Sequence, residues 1–258
     1  MKIFILGTGR MGAWLTEELC WNHEVWVHDK DALRMKYFIK VHRILDLNEL
    51  DAIEPELFIN CVALGNTVEA YQEVLPHLPE SCIIADIASV KNGLADYYKT
   101  LNRPFVSSHP MFGPTLANIR DLHDESAVII SESCNEGKRF FREFYQHLGI
   151  KIFDYSFEEH DRMVAYSLST PFASSMVFAA CMKKQEAPGT NFKRHMAIAK
   201  GLLAEDDRLL TEIMFNQYTI RQLELINSQL AYLTHIIRQR DYDEMKKFLD
   251  TLRSNIAD

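Results

Sequence analysis

Hydrophobic and polar positions follow two alternating periods in the first part of the chain. Short apolar runs rich in β-branched residues are separated by stretches in which apolar residues recur every three to four positions, such as MGAWLTEEL at 11–19. The runs predict buried strands and the stretches predict amphipathic helices, so the alternation indicates a mostly parallel sheet covered on both faces. The predicted strands are KIFIL (2–6), EVWVH (24–28), LFINCVAL (57–64), CIIADIA (82–88), FVSS (105–108), SAVIIS (126–131) and KIFDY (151–155).

After Tyr155 the pattern becomes helical throughout. Periodic segments occupy 157–184, 193–215, 220–239 and 243–255, with the pair Pro188 and Gly189 separating the first two. We therefore predict an α/β, Rossmann-like domain at 1–155 and an all-helical domain at 156–258. Because helices this long and apolar would leave a face uncovered in a monomer, we also predict a homodimer through the helical domain.

Composition and charge narrow the class of partners. The 258 residues are 47% hydrophobic and 25% charged, as in globular proteins, and the net charge of −8 argues against a broad cationic face for nucleic acid. The five cysteines have no metal-ligand spacing, which favours buried, reduced side chains and no metal site. Apolar runs are too short for a signal peptide or a membrane span. We expect a cytoplasmic protein with a small-molecule substrate and neither a nucleic-acid nor a membrane partner.

The first candidate site is a glycine motif. GTGRMG at 7–12 has the pattern G-x-G-x-x-G and lies between a predicted strand and a predicted helix, as a dinucleotide-binding fingerprint requires. Its glycines would allow a tight turn, close approach of the pyrophosphate and close helix packing, and the helix N-terminus would face the phosphates. The predicted cofactor-binding residues here are Gly7, Thr8, Gly9, Arg10, Met11 and Gly12.

An acidic residue at the end of the second predicted strand indicates which dinucleotide is bound. Asp29 lies where a carboxylate accepts hydrogen bonds from the adenosine ribose and repels a 2′-phosphate, which favours NAD over NADP. Arg10 and Lys30 leave an alternative open, because either would face a 2′-phosphate if Asp29 turned away.

Two further motifs stand at or near strand ends, where open α/β sheets bind ligands. DIASVK (86–91) contains Ser89, and SSHPMFGP (107–114) places His109 beside a turn bounded by prolines. A neutral imidazole accepts a proton near pH 7, and a neighbouring hydroxyl can orient it. By itself, however, a histidine in a loop is more often a hydrogen-bonded bystander, and this alternative stays open.

Together these motifs resemble the prephenate and arogenate dehydrogenases of tyrosine biosynthesis. The resemblance rests on GTGRMG, DIASVK, HPMFGP and the pair His160 and Asp161 at the start of the helical part. It implies an NAD-dependent oxidative decarboxylation of prephenate to 4-hydroxyphenylpyruvate, with His109 as the base and Ser89 orienting it or binding the same substrate hydroxyl. The chain is expected to carry no chorismate mutase or regulatory domain. His160 and Asp161 are open to three interpretations: a helix cap, an interdomain hydrogen bond, or a nicotinamide contact.

The sequence departs from the family pattern where the substrate carboxylates would bind. The positions that correspond to the family's histidine and arginine anchors are occupied by Phe172 and Gly201. A neighbouring cation, a changed substrate or lost activity would each account for this, and a solvated basic helix face is the alternative for each nearby cation. The predicted substrate-binding residues are Lys200, Arg194, Ser169 and Thr170, with Lys193 as a further cation.

Other functions fit parts of the pattern. Arogenate can replace prephenate, and a related reductase with the same two-part architecture would use a lysine such as Lys200. A dinucleotide-binding sensor without catalytic activity would keep the glycine motif and lack the anchors. HPMFGP argues against the reductase, and turnover separates the enzyme from the sensor.

Overall fold

A computed structural model describes residues 1–113, 121–183 and 185–257. Pro114, the last residue of the SSHPMFGP motif, lies outside the described residues, as do Lys184 and Asp258. The described residues form one eight-stranded sheet in the order β3-β2-β1-β4-β5-β6-β7-β8. Its strands are β1 (Lys2–Leu6), β2 (Glu24–His28), β3 (His42–Arg43), β4 (Leu57–Asn60), β5 (Ile83–Asp86), β6 (Phe105–Pro110), β7 (Ser126–Ile130) and β8 (Lys151–Tyr155).

The predicted mostly parallel sheet is confirmed. All neighbouring pairs are parallel except β6 and β7, which are antiparallel. The two-residue strand β3 was not predicted. Strand β6 continues to Pro110, so His109 lies in a strand and not in a loop between the strand and the turn, as the sequence predicted. Strand β4 ends at Asn60, four residues before its predicted end.

Both faces of the sheet are covered, because side chains of successive strand residues point to opposite faces. In β1, Ile3 and Ile5 join a core cluster with side chains of α1 and α5, whereas Phe4 and Leu6 join a second cluster with side chains of α3 and α4. Fully burying an apolar side chain of this size stabilises a fold by roughly 1.5–3 kcal/mol. The apolar runs read from the sequence are therefore buried on both sides.

Helices connect the strands and make up most of the chain beyond β8. Those between strands are α1 (Arg10–Leu19), α2 (Leu50–Ile53), α3 (Thr67–Val74), α4 (Leu94–Thr100) and α5 (Asn135–His147). Those after β8 are α6 (Phe157–Val164), α7 (Thr170–Cys181), α8 (Thr190–Leu202), α9 (Asp207–Met214), α10 (Thr219–Gln239) and α11 (Tyr242–Asn255). The predicted segment 193–215 is two helices, since Asp206 caps α9 by accepting hydrogen bonds from the backbone N–H groups of Arg208 and Leu209.

The contacts between Cα atoms divide the chain into two compact units. Unit 1 comprises Met1–Val164 and Glu205–Asn216, and unit 2 comprises Ala165–Ala204 and Gln217–Asp258. The sheet, α6 and α9 belong to unit 1, and the other helices after β8 belong to unit 2. The division into domains after Tyr155 stays a prediction.

Helix α6 continues into α7 through a π-turn at Ala165–Ser169. Within the described residues, the combined segment Phe157–Cys181 is long and apolar enough to cross a membrane by these two criteria, which corrects the expectation that apolar runs were too short. Core helices of water-soluble proteins meet the same criteria, so one such segment is weak support for a membrane span. Cys181 at its end is exposed, so the expectation of a buried cysteine is wrong there.

Candidate functional site

The glycine loop at 7–12 connects β1 to α1 in unit 1. Gly7 has a φ of 89°, in the left-handed region that favours glycine, and its N–H donates to the carbonyl oxygen of His28 at 2.8 Å. A Cβ atom on Gly12 would overlap the carbonyl oxygen of Gly7, whereas a Cβ atom on Gly9 would meet nothing within 4 Å. The loop is therefore tightly packed at Gly7 and Gly12 and open at Gly9, as a cradle for an extended ligand requires.

The N-terminus of α1 can receive an anion. The helix begins at Arg10 behind Gly9, whose backbone is extended and which has no side chain to cap the first N–H groups. Unpaired N–H groups and the helix dipole together attract a phosphate. The Arg10 side chain extends to Glu205, with Nη1 and Oε2 at 2.8 Å, and the Met11 side chain packs against the core.

Asp29, directly after β2, is fixed against the glycine loop. Its Oδ2 accepts hydrogen bonds from the Thr8 N–H at 2.7 Å and the Thr8 hydroxyl at 3.0 Å, and its Oδ1 accepts from the Asp31 N–H at 2.9 Å. Burial raises the pKa of the Asp29 carboxyl, but these hydrogen bonds outweigh burial and hold the pKa below its ordinary value. The charged carboxylate is thus the favoured form.

A cavity of about 270 Å³ joins the glycine loop to Asp29. Lys30 and Arg34 also line it, so cations are present beside the carboxylate. Lys30 is exposed, with Nζ 3.8 Å from Oε1 of Glu73. The lining residues are Leu6, Gly7, Gly9, His28, Asp29, Lys30, Arg34, Leu47, Cys61, Val62, Ala63, Asn66, Glu69, Ala70 and Glu73.

His109 lies at the same edge of the sheet as the glycine loop. Strands β1 and β6 are three strand spacings apart, about 14 Å, and their carboxyl ends meet at one edge because the strands between them are parallel. His109 is 4% exposed. Burial first, then the neighbouring His160 ring and the Lys91 ammonium, hold the pKa of His109 well below its ordinary value. The imidazole is therefore neutral near pH 7.

Two buried side chains of unit 1, His160 and Asp161, form a series of close polar contacts that begins at His109. Nδ1 of His109 lies 2.9 Å from Nε2 of His160, and Nδ1 of His160 lies 2.9 Å from Oδ1 of Asp161. We call these three side chains the His–His–Asp series. Helix α6 is capped by Ser156 and Glu159, which exchange hydrogen bonds, so the interpretation of Asp161 as the helix cap is wrong.

Lys91 of the DIASVK motif forms hydrogen bonds with Asp161 and with the strand that bears His109. The Lys91 N–H donates to Oδ1 of Asp161 at 2.9 Å, and its ammonium donates to Oδ1 of Asp86 and to the carbonyl oxygen of Ser108, both at 2.6 Å. Ser89, between Asp86 and Lys91, is half-buried. Within the described residues, Nδ1 of His109 is bonded to His160 and not to Ser89. The role of Ser89 stays a prediction.

The four predicted substrate-binding residues lie in unit 2. Ser169 is fully buried at the end of the π-turn and its Oγ accepts a hydrogen bond from Thr219 Oγ1 at 2.8 Å. Thr170 begins α7, with a buried hydroxyl that has no hydrogen-bond partner among the described residues. Arg194 and Lys200 are exposed on α8. The structure places the predicted cofactor-binding residues and His109 in unit 1, and the roles of all these residues stay predictions.

The contact between His109 and His160 was not predicted, because it joins residues 51 positions apart. Buried histidine next to aspartate is a signal only once the fold is known. The π-turn before Thr170 was also missed; such turns are frequent at functional sites. The described residues contain no group of three or more His, Cys, Asp or Glu side chains that could hold a metal ion.

Comparison with known proteins agrees with this arrangement. A T-protein of Enterobacter agglomerans is 26% identical over 151 residues, which are 55% of this chain and 40% of that protein. The matched parts cover 40–48% of three curated relatives, so the chain spans less than half of their length.

Two solved structures share the fold over almost the whole chain. Prephenate dehydrogenase from A. aeolicus, in complex with hydroxyphenyl propionate and NAD+, has a TM-score of 0.84 at 17% identity, covering 99% of this chain and 96% of that one. Synechocystis arogenate dehydrogenase has a TM-score of 0.76 at 20% identity, covering 99% and 98%.

A family model decides the membership. The model described as the nucleotide-binding domain of prephenate dehydrogenase matches residues 13–151, which is more than half of the chain. The resemblance seen in the sequence motifs is thereby confirmed. The chain belongs to the prephenate dehydrogenase family and carries its nucleotide-binding domain.

Proposed function

We propose that this protein catalyses the NAD-dependent oxidative decarboxylation of prephenate to 4-hydroxyphenylpyruvate. The observation that carries the proposal is the buried, neutral His109 at the sheet edge that also bears the glycine loop. Family membership supports a dehydrogenase, and the A. aeolicus enzyme of similar fold is a prephenate dehydrogenase.

The residues of unit 1 fit NAD. The open face at Gly9 and the N–H groups of α1 would hold the pyrophosphate, and Asp29 would accept hydrogen bonds from the ribose hydroxyls. A fixed carboxylate repels a 2′-phosphate, which favours NAD over NADP. The bound nicotinamide would supply the hydride acceptor.

His109 would serve as the general base. A hydride leaves a carbinol carbon far more readily when the hydroxyl proton is removed at the same time, and a positioned base contributes about 10²- to 10⁴-fold to such a step. A neutral ring has a lone pair for this proton. Ser89 would bind the same hydroxyl. Loss of the ring carboxylate as CO2 then makes the product aromatic.

The anchors for the substrate carboxylates remain the predicted ones. Arg194 and Lys200 offer charge and Ser169 and Thr170 offer hydroxyls. The unpaired Thr170 hydroxyl supports a role for this part of α7, because a buried hydroxyl without a partner costs free energy unless a ligand satisfies it.

Arogenate is the second candidate substrate. The structure of Synechocystis arogenate dehydrogenase shares the fold over nearly the same length as the prephenate enzyme does. Arogenate differs from prephenate by an amine in place of the side-chain ketone, and the residues around the ring hydroxyl serve both.

The test is NADH formation with each substrate. We expect an increase in NADH absorbance with NAD and prephenate. An increase with arogenate instead would identify arogenate as the substrate. His109→Asn should abolish most of the increase and leave NAD affinity unchanged. Tight NAD binding without turnover of either substrate would contradict the proposal and favour the dinucleotide-binding sensor.

We also propose a homodimer in the cytoplasm. Large apolar side chains of α10 in unit 2 are exposed, among them Ile220 (64%), Leu230 (55%) and Ile237 (58%), and a second copy would cover such a surface. All five cysteines are free thiols, as a reducing compartment requires.

A further inference from the structure

The direction of the hydrogen bonds in the His–His–Asp series follows from one backbone group. The Lys91 N–H can only donate, so Oδ1 of Asp161, which lies 2.9 Å from it, is an acceptor. The same oxygen lies 2.9 Å from Nδ1 of His160. Nδ1 of His160 therefore carries a proton and donates it.

The remaining ring atoms are then determined in sequence. A neutral imidazole with a proton on Nδ1 has its lone pair on Nε2, so Nε2 of His160 accepts. Its partner at 2.9 Å, Nδ1 of His109, must carry a proton and donate. The lone pair of the neutral His109 ring is consequently on Nε2, the nitrogen that faces away from His160.

We propose that His160 and Asp161 are positioning residues that hold His109 in the tautomer with Nε2 unprotonated. The inference rests on the proposed dehydrogenase function. The O–H bond of the substrate hydroxyl breaks and an N–H bond forms at Nε2 of His109. The Nδ1–H stays in place, and its bond to His160 stabilises the imidazolium.

The electrostatic surroundings agree with this tautomer. Burial lowers the pKa of His160, and the Asp161 carboxylate offsets that effect only in part. The Lys91 ammonium also opposes a second proton on either ring. A doubly protonated His160 would donate from both nitrogens and would force His109 into the wrong tautomer, so the neutral form of His160 is required.

The packing of Asp161 keeps the series aligned. Asp161 is 4% exposed, and its carboxylate accepts a hydrogen bond from the Lys91 N–H. Its backbone carbonyl oxygen accepts a second hydrogen bond, from Asn216 Nδ2 at 2.8 Å. His160 is fully buried. Both groups are thus fixed before a substrate binds, and neither needs to touch the substrate or the nicotinamide.

The tautomer can be observed directly by NMR of the wild-type protein labelled with ¹⁵N-histidine. We expect His109 to show a protonated Nδ1 and an unprotonated Nε2 at neutral pH, and His160 the same pattern. A protonated Nε2 on His109 would overturn the inference. This NMR measurement requires neither enzymatic activity nor a variant protein.

Kinetics provide the second test. His160→Leu and Asp161→Asn should each lower kcat by about 10²-fold. Where an aspartate is bonded directly to a catalytic histidine, its replacement by asparagine lowers kcat by roughly 10⁴-fold, and we expect a smaller effect here because Asp161 acts on His109 through His160. KM and NAD affinity should stay within about twofold, because both side chains are buried and would act on the substrate only through His109. His160→Gln should recover part of kcat, since its Oε1 can accept from Nδ1 of His109.

The pair His77 and Asp51 provides matched controls. Nδ1 of His77 lies 3.2 Å from Oδ1 of Asp51, with His77 half-buried and Asp51 exposed, and neither residue lines the cavity at the glycine loop. His77→Gln and Asp51→Asn should therefore retain full kcat. If His109→Asn is inactive while His160→Leu and Asp161→Asn are fully active, the inference fails and the proposed function stands. If the wild type oxidises neither substrate, the function fails and the NMR result still decides the tautomer.

Discussion

The Nζ atom of Lys91 lies 2.6 Å from Oδ1 of Asp86, and both side chains are excluded from solvent. Asp86 also accepts hydrogen bonds from the Tyr98 hydroxyl at 2.6 Å and the Ala88 N–H at 3.0 Å. Burial lowers the pKa of Lys91, and the attraction of Asp86 opposes that effect. The pair connects the end of β5 to the strand that bears His109, because Lys91 also holds the carbonyl oxygen of Ser108.

Lys91→Met should destabilise the protein by about 3–5 kcal/mol, because it leaves the Asp86 carboxylate buried without a counter-charge. Urea unfolding followed by circular dichroism measures this. The double variant Lys91→Met/Asp86→Asn should regain part of the loss, since the amide oxygen of a neutral asparagine can still accept from the Ala88 N–H while its NH2 group donates to the Tyr98 hydroxyl oxygen. Lys99→Met, which breaks an exposed pair with Asp96, serves as the control and should change little. Equal effects of Lys91→Met and Lys99→Met would contradict the prediction.

Asp29→Ser should weaken NAD binding and shift the preference between cofactors toward NADP by about tenfold or more, the loss of one charged hydrogen bond being worth about 1.5–3 kcal/mol. The serine hydroxyl can still accept from Thr8, so the glycine loop keeps a partner. Fluorescence titration with both cofactors checks this. Asp31→Ala removes the next carboxylate along the chain and should leave the preference unchanged. A wild type that already prefers NADP would refute the ribose argument.

Gly12→Ala and Gly9→Ala should fail for different reasons. A Cβ atom on Gly12 overlaps the carbonyl oxygen of Gly7, so this variant should lose about 1–3 kcal/mol of stability through overpacking. A Cβ atom on Gly9 meets nothing within 4 Å, so that variant should fold normally and lose NAD affinity as the methyl group occupies ligand space. Thermal unfolding and NAD titration separate the two. Normal NAD affinity in Gly9→Ala would place the pyrophosphate elsewhere.

The sequence was sufficient for most of the fold and for the candidate base. Apolar runs buried on two faces are recognisable by period alone, and strands β1, β2 and β8 have the bounds predicted for them. The burial of Lys91 was not predicted. Lysine is almost never fully buried unless it is paired, and the spacing of residues does not reveal which residue is the partner. The contact of His109 with His160 depends in the same way on how β6 packs against α6. Pairings between distant residues are set by tertiary packing, which a local pattern does not contain.

The exposed apolar side chains of α10 lead to a prediction about assembly. We expect the wild type to elute as a dimer in size-exclusion chromatography with light scattering. The double variant Leu230→Glu/Ile237→Glu should shift it toward the monomer, because charged side chains would be buried in the interface without partners. Arg238→Glu, a charge change on the same helix, is the control. A wild type that is monomeric at all concentrations would refute the assembly.

The depressed pKa values of His109 and His160 make both activity and stability depend on pH in a defined direction. An unperturbed histidine titrates near pH 6.5, so kcat/KM should stay level as the pH falls to about 6.5 and should decline only in more acidic solution. The free energy of unfolding changes with pH in the same direction as kcat/KM. Below about pH 6.5 the unfolded chain binds protons that the native rings do not, so the free energy of unfolding falls as the pH falls.

His160→Gln removes one of the two buried rings and should make the free energy of unfolding less dependent on pH between about 6.5 and 5. Urea unfolding at a series of pH values measures the slope. His195→Gln, at an exposed histidine of α8, should leave the slope unchanged. An acid limb of kcat/KM at or above pH 6.5 would mean that His109 is not held neutral by its surroundings, since only a group whose charged form is disfavoured titrates below its ordinary range.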